Sequence, residues 1–304
     1  MVAFGVSGRN LTHNVRSRTV ESYGVTGTAN DATVMQTAIN HAAANNILLT
    51  AQRDSYTLAA GVTIPDNFRC DFGNAWIKRS TASAAAFDLW TNADHAVGND
   101  GLDIRNVRFD GQRQANSLTN ANAAHRFCGL RLVKCAGIVD NVRADNTVNG
   151  EIQAEGNRAG IIFEESQNIV ATRLFASGTM GSGVFVIAGK NHITGVWTDD
   201  NTGSGFTSSD AADNDFHHIY SDGSGYSGVS INGARIRASW LFGKNAASGF
   251  AGVNIGHDGA GQGCEDAMVD NVVSEGALGW GIVLKNSPRI VGRNWRATGA
   301  TNNL

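Results

Sequence analysis

Proline, charged residues and long apolar runs are all scarce in this sequence, and each scarcity excludes a class of protein. Only 2 of the 304 residues are proline and 17% are charged, while 37 are glycine. Glycine at this level without a collagen period, in a chain that is 42% hydrophobic, indicates many tight turns between short strands and not disorder. No stretch approaches 18 consecutive apolar residues, so we expect no membrane insertion.

The charge of the chain argues against a nucleic-acid partner. The formal net charge is −3, and no basic run interrupts the sequence. Proteins that bind nucleic acid usually carry a basic patch or stripe. The first residues, MVAFGVSGRN, also lack a basic segment followed by an apolar run, so no secretory signal peptide is expected.

Cysteine is sparse and its spacing fits no metal site. Cys70, Cys128, Cys135 and Cys264 form no CxxC pattern. We therefore predict no metal and no cofactor, and free, packed thiols are the simplest interpretation. A disulfide between Cys128 and Cys135 stays open at this point.

One short phrase recurs through the second half of the chain: a glycine, an apolar residue, any residue, and usually a second apolar residue. Successive copies start 23, 22, 23, 24 and 29 residues apart. The copies are Gly160-Ile-Ile-Phe163, Gly183-Val-Phe-Val186, Gly205-Phe-Thr-Ser208, Gly228-Val-Ser-Ile231, Gly252-Val-Asn-Ile255 and Gly281-Ile-Val-Leu284. Self-similarity at such a period is typical of repeat architectures.

Each repeat contains three short strand-like segments and no helix. The glycine phrase is the first segment, and two apolar segments follow it before the next glycine-rich turn. The economical arrangement is a coil of strands, in which each strand pairs in parallel with its equivalent about 4.8 Å away in the next coil. The sequence thus predicts an all-β fold, a parallel β-helix of about 23 residues per coil, with the apolar residues of the phrase pointing inward.

A single helix is predicted near the start, at about 31–45. Asn30 and Asp31 offer an N-cap, and apolar residues recur at helical spacing from Val34 to Ala42. Because the end of a solenoid needs a cap, we expect this helix to cover the first coil. The chain is then divided into a linking segment, 1–20, and one β-helix domain, 21–304.

Two segments resemble a known family. Residues 18–39, RTVESYGVTGTANDATVMQTAI, and residues 106–111, NVRFDG, are similar to the entry segment and an early coil of bacteriophage tailspikes within the pectate-lyase-like superfamily. The resemblance implies a right-handed parallel β-helix that assembles as a homotrimer in the virion tail and acts outside the cell. It implies a depolymerase for a bacterial surface polysaccharide (capsule, exopolysaccharide or O-antigen). Glycoside hydrolysis is the first candidate activity; a polysaccharide lyase and a non-catalytic receptor-binding adhesin are the alternatives.

Aligning the coils on their third segment places an acidic residue at one repeated position in most of the coils. We call this set the acid column: Asp110, Asp145, Ser177, Asp199, Asp222, Gly243 and Glu275. Asp is common in turns because its side chain bonds the nearby backbone, and that explanation is the simpler one. Glycoside hydrolysis, however, needs two carboxylates about 5 Å apart for retention or about 6.5–9.5 Å for inversion. Neighbouring and alternate coils of a β-helix supply about these separations, so Asp199 and Asp222 are candidate catalytic residues.

The repeat is interrupted by two long connections, 111–128 and 146–159. Insertions on one face of a solenoid often form its binding face. The candidate catalytic residues there are Asp110, Asp145, Glu151 and Glu155, and the candidate substrate-binding residues are Arg113, Arg126 and Arg158. Such arginines would neutralise an anionic sugar. The alternative is that these loops are simply polar surface.

Ile162 and Phe185 occupy the outward place of the glycine phrase, where later coils carry Thr207, Ser230 and Asn254. Apolar residues exposed on adjacent coils predict a covered surface. Burial against a partner chain is the preferred interpretation, which suits a trimer, and stacking of a sugar on Phe185 is the second.

Overall fold

The computed structural model describes residues 16–28, 30–82, 87–113, 115, 127–147, 159–256 and 263–302, and within them the chain forms a right-handed parallel β-helix. Every strand pair in it is parallel, and each strand pairs with its equivalent in the coils before and after it. The predicted fold class is confirmed.

Two parallel sheets, A and B, make up the coils. Sheet A holds the strands β1 (Ser17–Thr19), β2 (Leu48–Thr50), β3 (Ser55–Leu58), β5 (Arg69–Arg79), β7 (Leu102–Asp110), β9 (Gly137–Asp145), β11 (Gln167–Ser177), β13 (Lys190–Asp199), β15 (Asp215–Asp222), β17 (Arg237–Lys244), β19 (Met268–Glu275) and β21 (Val291–Thr298). Sheet B holds the strands of the glycine phrase: β4 (Val62–Ile64), β6 (Trp90–Asn92), β8 (Leu130–Val133), β10 (Ala159–Glu164), β12 (Ser182–Ile187), β14 (Phe206–Ser209), β16 (Val229–Ile231), β18 (Ala251–Ile255) and β20 (Trp280–Leu284).

From β5 onward, the second and third predicted strands of a coil run together as one bent strand of sheet A, whereas in the first coil they are the separate strands β2 and β3. The bend lies at a residue with positive φ, which is Asn74, Asn106 and Asn141 in the early coils and Asn271 and Asn294 in the late ones. Asparagine tolerates this left-handed conformation better than most residues. Between them the bend is formed by Arg173, Gly195, His218 and Trp240.

The glycine of the repeated phrase is required by a close approach of two backbones. A Cβ on Gly183 would lie 2.7 Å from the carbonyl oxygen of Gly205, and a Cβ on Gly228 would lie 2.6 Å from that of Gly252. The apolar residues after each glycine, such as Val184 in β12, are fully buried in the core. The period of the phrase is therefore the period of the coil.

The capping helix α1 runs from Ala32 to Ala44, inside the predicted 31–45. Its apolar face, including Met35 and Ile39, joins the core at the first coil. Asp31 at its N-cap accepts hydrogen bonds from the backbone N–H groups of Thr26 (2.9 Å) and Gly27 (2.7 Å), which fix the preceding loop and not the helix end. A short 3₁₀ turn, Val20–Tyr23, precedes it.

The first strand of sheet A lies within the predicted linking segment, 1–20. Strand β1 already pairs with β2, with Arg18 opposite Leu49, so the β-helix includes residues 17–19. All four cysteines are buried and free, as the simplest interpretation had it. In the described part of the chain, no helix has both the length and the apolar character needed to cross a membrane.

Candidate functional site

An uninterrupted row of aromatic side chains lies on the outer face of sheet A, in the half of each strand that follows the bend. Phe175, Trp197, Tyr220 and Phe242 occupy one register position in four successive coils, and we call them the aromatic column. The rings of Phe175 and Trp197 stack with centroids 5.1 Å apart and planes 13° apart, and those of Tyr220 and Phe242 with centroids 5.1 Å and planes 6° apart. The side chain of Trp197 is 43% exposed, so the stack presents a face to solvent.

A glycine at the bend makes room for the largest of these rings. Gly195 has φ +70°, and a Cβ there would lie 3.2 Å from the indole of Trp197. The neighbouring coils have Arg173 and His218 at this position. Glycine thus lets the indole lie against the backbone beside Phe175.

The acid column lies two residues after the aromatic column, with one correction. The register pairs Asp110 with Asp145, Asp145 with Ser177, Ser177 with Asp199, and Asp199 with Asp222. Gly243 does not belong to it, because Gly243 pairs with Ser221 on the inward side. Lys244 takes that place and pairs in turn with Glu275.

The two columns enclose a groove of about 340 Å³. It is lined by Arg143, Phe175, Ala176, Ser177, Trp197, Thr198, Asp199, Tyr220 and Asp222. The groove runs along the helix axis over four coils, so an elongated molecule would follow the direction in which the coils stack.

Asp199 and Asp222 lie side by side in this groove, and their surroundings differ. Partial burial raises the pKa of Asp199, and the nearby charges of Asp200 and Asp222 act in the same direction. Asp222 accepts hydrogen bonds from Asn245 Nδ2 (2.7 Å) and the Tyr220 hydroxyl (3.3 Å), and Lys244 Nζ is 3.7 Å away.

The other predicted pair, Asp110 and Asp145, is tied to its own neighbours. Asp110 accepts a hydrogen bond from the backbone N–H of Gln112 (2.8 Å), the turn geometry that the simpler explanation anticipates. Asp145 is only 7% exposed, and its Oδ2 accepts a bond from Arg143 Nε at 2.6 Å. Burial raises the pKa of Asp145.

Arg126, Glu151, Glu155 and Arg158 lie outside the described residues. Arg113 is described: it is half-buried, and its backbone N–H donates to the carbonyl oxygen of Asn146 at 3.3 Å. Burial lowers the pKa of the Arg113 guanidinium.

The prediction that Ile162 and Phe185 are exposed is wrong. Both point outward from sheet B, but Ile162 is fully buried and Phe185 is 3% exposed, in a cluster with Cys128 and Ala159. Their cover comes from this same chain, so they give no reason to invoke a partner. Phe185 also has no free face on which a sugar could stack.

The aromatic column and Arg143 are candidate site residues that the sequence did not predict. A signal for them existed, because Phe175, Trp197 and Tyr220 are spaced 22 and 23 residues apart, each directly after a buried apolar residue. Alternation along a strand places such residues on the outer face. Among the described residues, no three His, Cys, Asp or Glu side chains lie close enough together to hold a metal ion.

Comparison with known proteins relates the chain to others by fold alone. No protein-family model matches the sequence, and no curated protein matches it. Solved structures do match. The N-terminal fragment of bacteriophage Phi29 gene product 12 aligns over 94% of this chain with 15% identity and a TM-score of 0.57. Tailspike protein 2 from Escherichia coli O157:H7 bacteriophage CAB120 aligns over 94% with 9% identity and a TM-score of 0.63.

An enzyme domain matches equally well. The A-module of a mannuronan C-5 epimerase from Azotobacter vinelandii aligns over 94% of this chain and 97% of its own length, with 14% identity and a TM-score of 0.56. By contrast, the chain spans 56% of the gene product 12 fragment and 38% of the tailspike. This chain therefore has the parallel β-helix fold found in phage tail proteins and in polysaccharide-modifying enzymes.

Proposed function

We propose that this protein binds a bacterial surface polysaccharide in the groove and cleaves it by glycoside hydrolysis. The observation that carries the proposal is the position of Asp199 and Asp222 on adjacent coils, directly beside the exposed stack of Phe175 and Trp197. Aromatic faces bind the apolar faces of sugar rings, and paired carboxylates perform glycoside hydrolysis.

The two carboxylates have distinct proposed roles. Asp199, whose pKa is raised, is the general acid that protonates the leaving oxygen. Asp222, which accepts hydrogen bonds from Asn245 and Tyr220 that hold its carboxylate in place, is the nucleophile. Residues paired across adjacent strands are separated by about 5 Å, the separation of retaining enzymes, so the anomeric configuration should be kept.

Two alternatives use the same groove. Elimination by a polysaccharide lyase is favoured by Arg143, which could neutralise a uronate carboxylate while a base removes the proton at C5. A non-catalytic adhesin is favoured by the turn bond of Asp110, which shows that part of the acid column serves the backbone. The homotrimer and the place in a virion tail remain proposals that rest on the resemblance to tailspikes.

The test is incubation of the protein with purified capsular and O-antigen polysaccharides. New reducing ends without an unsaturated-uronate absorbance are expected for a hydrolase, and reducing ends with that absorbance would indicate a lyase. Binding without any cleavage would leave only the adhesin. Proton NMR identifies the anomer that forms first and so shows whether the anomeric configuration is retained or inverted.

Substitutions then locate the site. Asp199→Asn and Asp222→Asn should each lower turnover by about 10²–10⁴-fold, because each removes an acid–base or nucleophilic group. Glu275→Gln is the matched control, since Glu275 belongs to the acid column two coils beyond Asp222 and outside the groove.

The other candidate site that the sequence predicts, at the two long connections, is tested in the same assay with Asp110→Asn, Asp145→Asn, Glu151→Gln and Glu155→Gln. Full activity of Asp199→Asn and Asp222→Asn, with loss confined to these four, would move the site to the two long connections.

A further inference from the structure

The groove has opposite charges at its two ends. Along the outer position of sheet A, the coils before the aromatic column carry Trp76, Arg108 and Arg143, and the register places Arg143 next to Phe175. The far end of the groove carries Asp199 and Asp222. We call the part formed by Arg108 and Arg143 the basic end.

Arg143 is held in place and still has capacity to bind. Its Nε donates to Asp145 Oδ2 at 2.6 Å, while in the described part of the chain its two terminal nitrogens have no acceptor. The side chain is 43% exposed, against 10% for that of Asp145. A carboxylate at the base of the groove thus fixes one edge of the guanidinium, and the terminal N–H groups remain for a ligand. A guanidinium fork matches the oxygens of carboxylate, sulfate and phosphate.

Arg108 adds a second positive charge in the adjacent coil. Its guanidinium lies 5.5 Å from the ring centre of Trp76, and that of Arg143 lies 6.0 Å from the same ring. Within the described residues no carboxylate lies within ion-pair distance of the Arg108 guanidinium. Both guanidinium groups thus make cation–π contacts with the indole of Trp76.

Charge also fixes where an anionic group can bind. Beside Asp199 and Asp222 a negative substituent would be repelled, whereas at Arg143 it would be attracted. The register from Asp145 through Ser177 to Asp199 spans two coils, which corresponds to about 10 Å.

We propose that the polysaccharide carries an anionic group, which Arg143 and Arg108 bind at the basic end about two coils from Asp199. The inference rests on the proposed function and adds to it the substrate class and the register of the chain in the groove. The anion is a carboxylate, sulfate or phosphate, because the same guanidinium fork accepts each.

The experiment is a microarray of purified bacterial polysaccharides with known repeating units, half of them neutral and half carrying carboxylate, sulfate or phosphate. The protein should bind members of the anionic half, with at least tenfold weaker binding to the neutral half, and binding should weaken as salt rises. Carboxyl reduction or enzymatic removal of sulfate or phosphate from each bound glycan identifies the group. Binding confined to neutral glycans would overturn the inference, and binding to none would refute the proposed function itself.

Variants separate recognition of the anion from general charge. Arg143→Gln should lose tenfold or more in affinity for the anionic glycans. The affinity of Arg143→Lys should lie between those of the parent and Arg143→Gln, because lysine keeps the charge but lacks the guanidinium fork. Arg293→Gln is the control, since Arg293 is an exposed arginine paired with Asp270 outside the groove. Thermal melting checks that each variant is folded, and equal losses in Arg143→Gln and Arg293→Gln would contradict a specific subsite.

Discussion

Asp145 is a carboxylate that the fold keeps largely out of water. One of its oxygens accepts a bond from Arg143, and the other, Oδ1, is buried with no hydrogen-bond partner in the described part of the chain. Burial is the main reason that the pKa of Asp145 is raised, with the charge of Asp110 adding to it. A buried, half-satisfied carboxylate lowers the stability of the folded protein whenever it is ionised.

This gives a pH dependence with a defined sign. Because the pKa of Asp145 is raised on folding, its neutral form stabilises the protein at a pH below the usual carboxyl pKa of about 4, and that stabilisation is lost as the pH rises through the raised pKa. Asp145→Asn should therefore have a higher unfolding midpoint than the parent at neutral pH, with the difference vanishing in acid. Urea unfolding at stepped pH measures it.

Asp140→Asn is the control with the opposite sign. The hydrogen bond from Arg173 lowers the pKa of Asp140, so its contribution to stability is present above the usual carboxyl pKa and is lost as the pH falls through the lowered pKa. That variant should be less stable than the parent at neutral pH. An Asp145→Asn protein that is also less stable at neutral pH would contradict the account of Asp145.

At the scale of single residues, the sequence predicted the face of the strand on which a side chain lies, but it did not predict whether that side chain is buried. Alternation correctly directs Ile162 and Phe185 outward from sheet B, yet both are buried by other parts of the chain. Period-two alternation reports the face of a strand, and a second layer over that face depends on contacts distant in sequence. Val196 and Trp197 are adjacent apolar residues, as are Ile219 and Tyr220. If alternation is applied within each pair, the second residue lies on the outer face, so the pattern would have predicted Trp197 and Tyr220 to point outward.

At the scale of elements, two columns of small residues meet at one corner of each coil. The glycine of each phrase packs against the last inward residue of a sheet A strand: Gly160 against Ala144, Gly228 against Gly243, and Gly252 against Ser274. Sheets A and B can approach this closely only when both positions are small. The corner therefore explains why the glycine recurs when the residues around it vary.

Filling this corner should destabilise the fold. Gly252→Ala places a methyl group against the side chain of Ser274 and should lower the free energy of unfolding by about 1–3 kcal/mol. Adding Ser274→Gly removes the clash, as the natural pair Gly228 and Gly243 does, so the double variant should recover part of the loss. Chemical unfolding of the double-mutant cycle measures the coupling, and strictly additive effects would argue against the corner contact.

The order and period of the elements could be read from the sequence, but one position in their register could not. The period is set by local glycine and apolar spacing, and the structure pairs the phrases in that order. The assignment of Gly243 to the acid column is wrong because Trp240 forms the bend of its strand, with φ 59°, and the acid-column position four residues after the bend is Lys244. Apolar character alone does not show that a residue lies in a left-handed bend.

At the scale of the whole molecule, the groove follows from the way in which the coils stack. Residues 22 to 35 apart become neighbours about 4.8 Å apart, so the aromatic column, the acid column and the basic end form one continuous surface. No single coil carries such a site. An extended polymer lying along the axis would contact all three.

The most direct test of the groove is the affinity of two tryptophan variants for a polysaccharide that the parent protein binds. Trp197 stacks on Phe175 in the groove, whereas Trp240, 57% exposed, stacks on His218 at the bend outside it. Trp197→Ala should weaken binding by about tenfold or more, the loss expected for one aromatic platform, and Trp240→Ala should leave it unchanged. Unaltered affinity in Trp197→Ala, or an equal loss in both variants, would contradict the claim that the groove holds the polysaccharide.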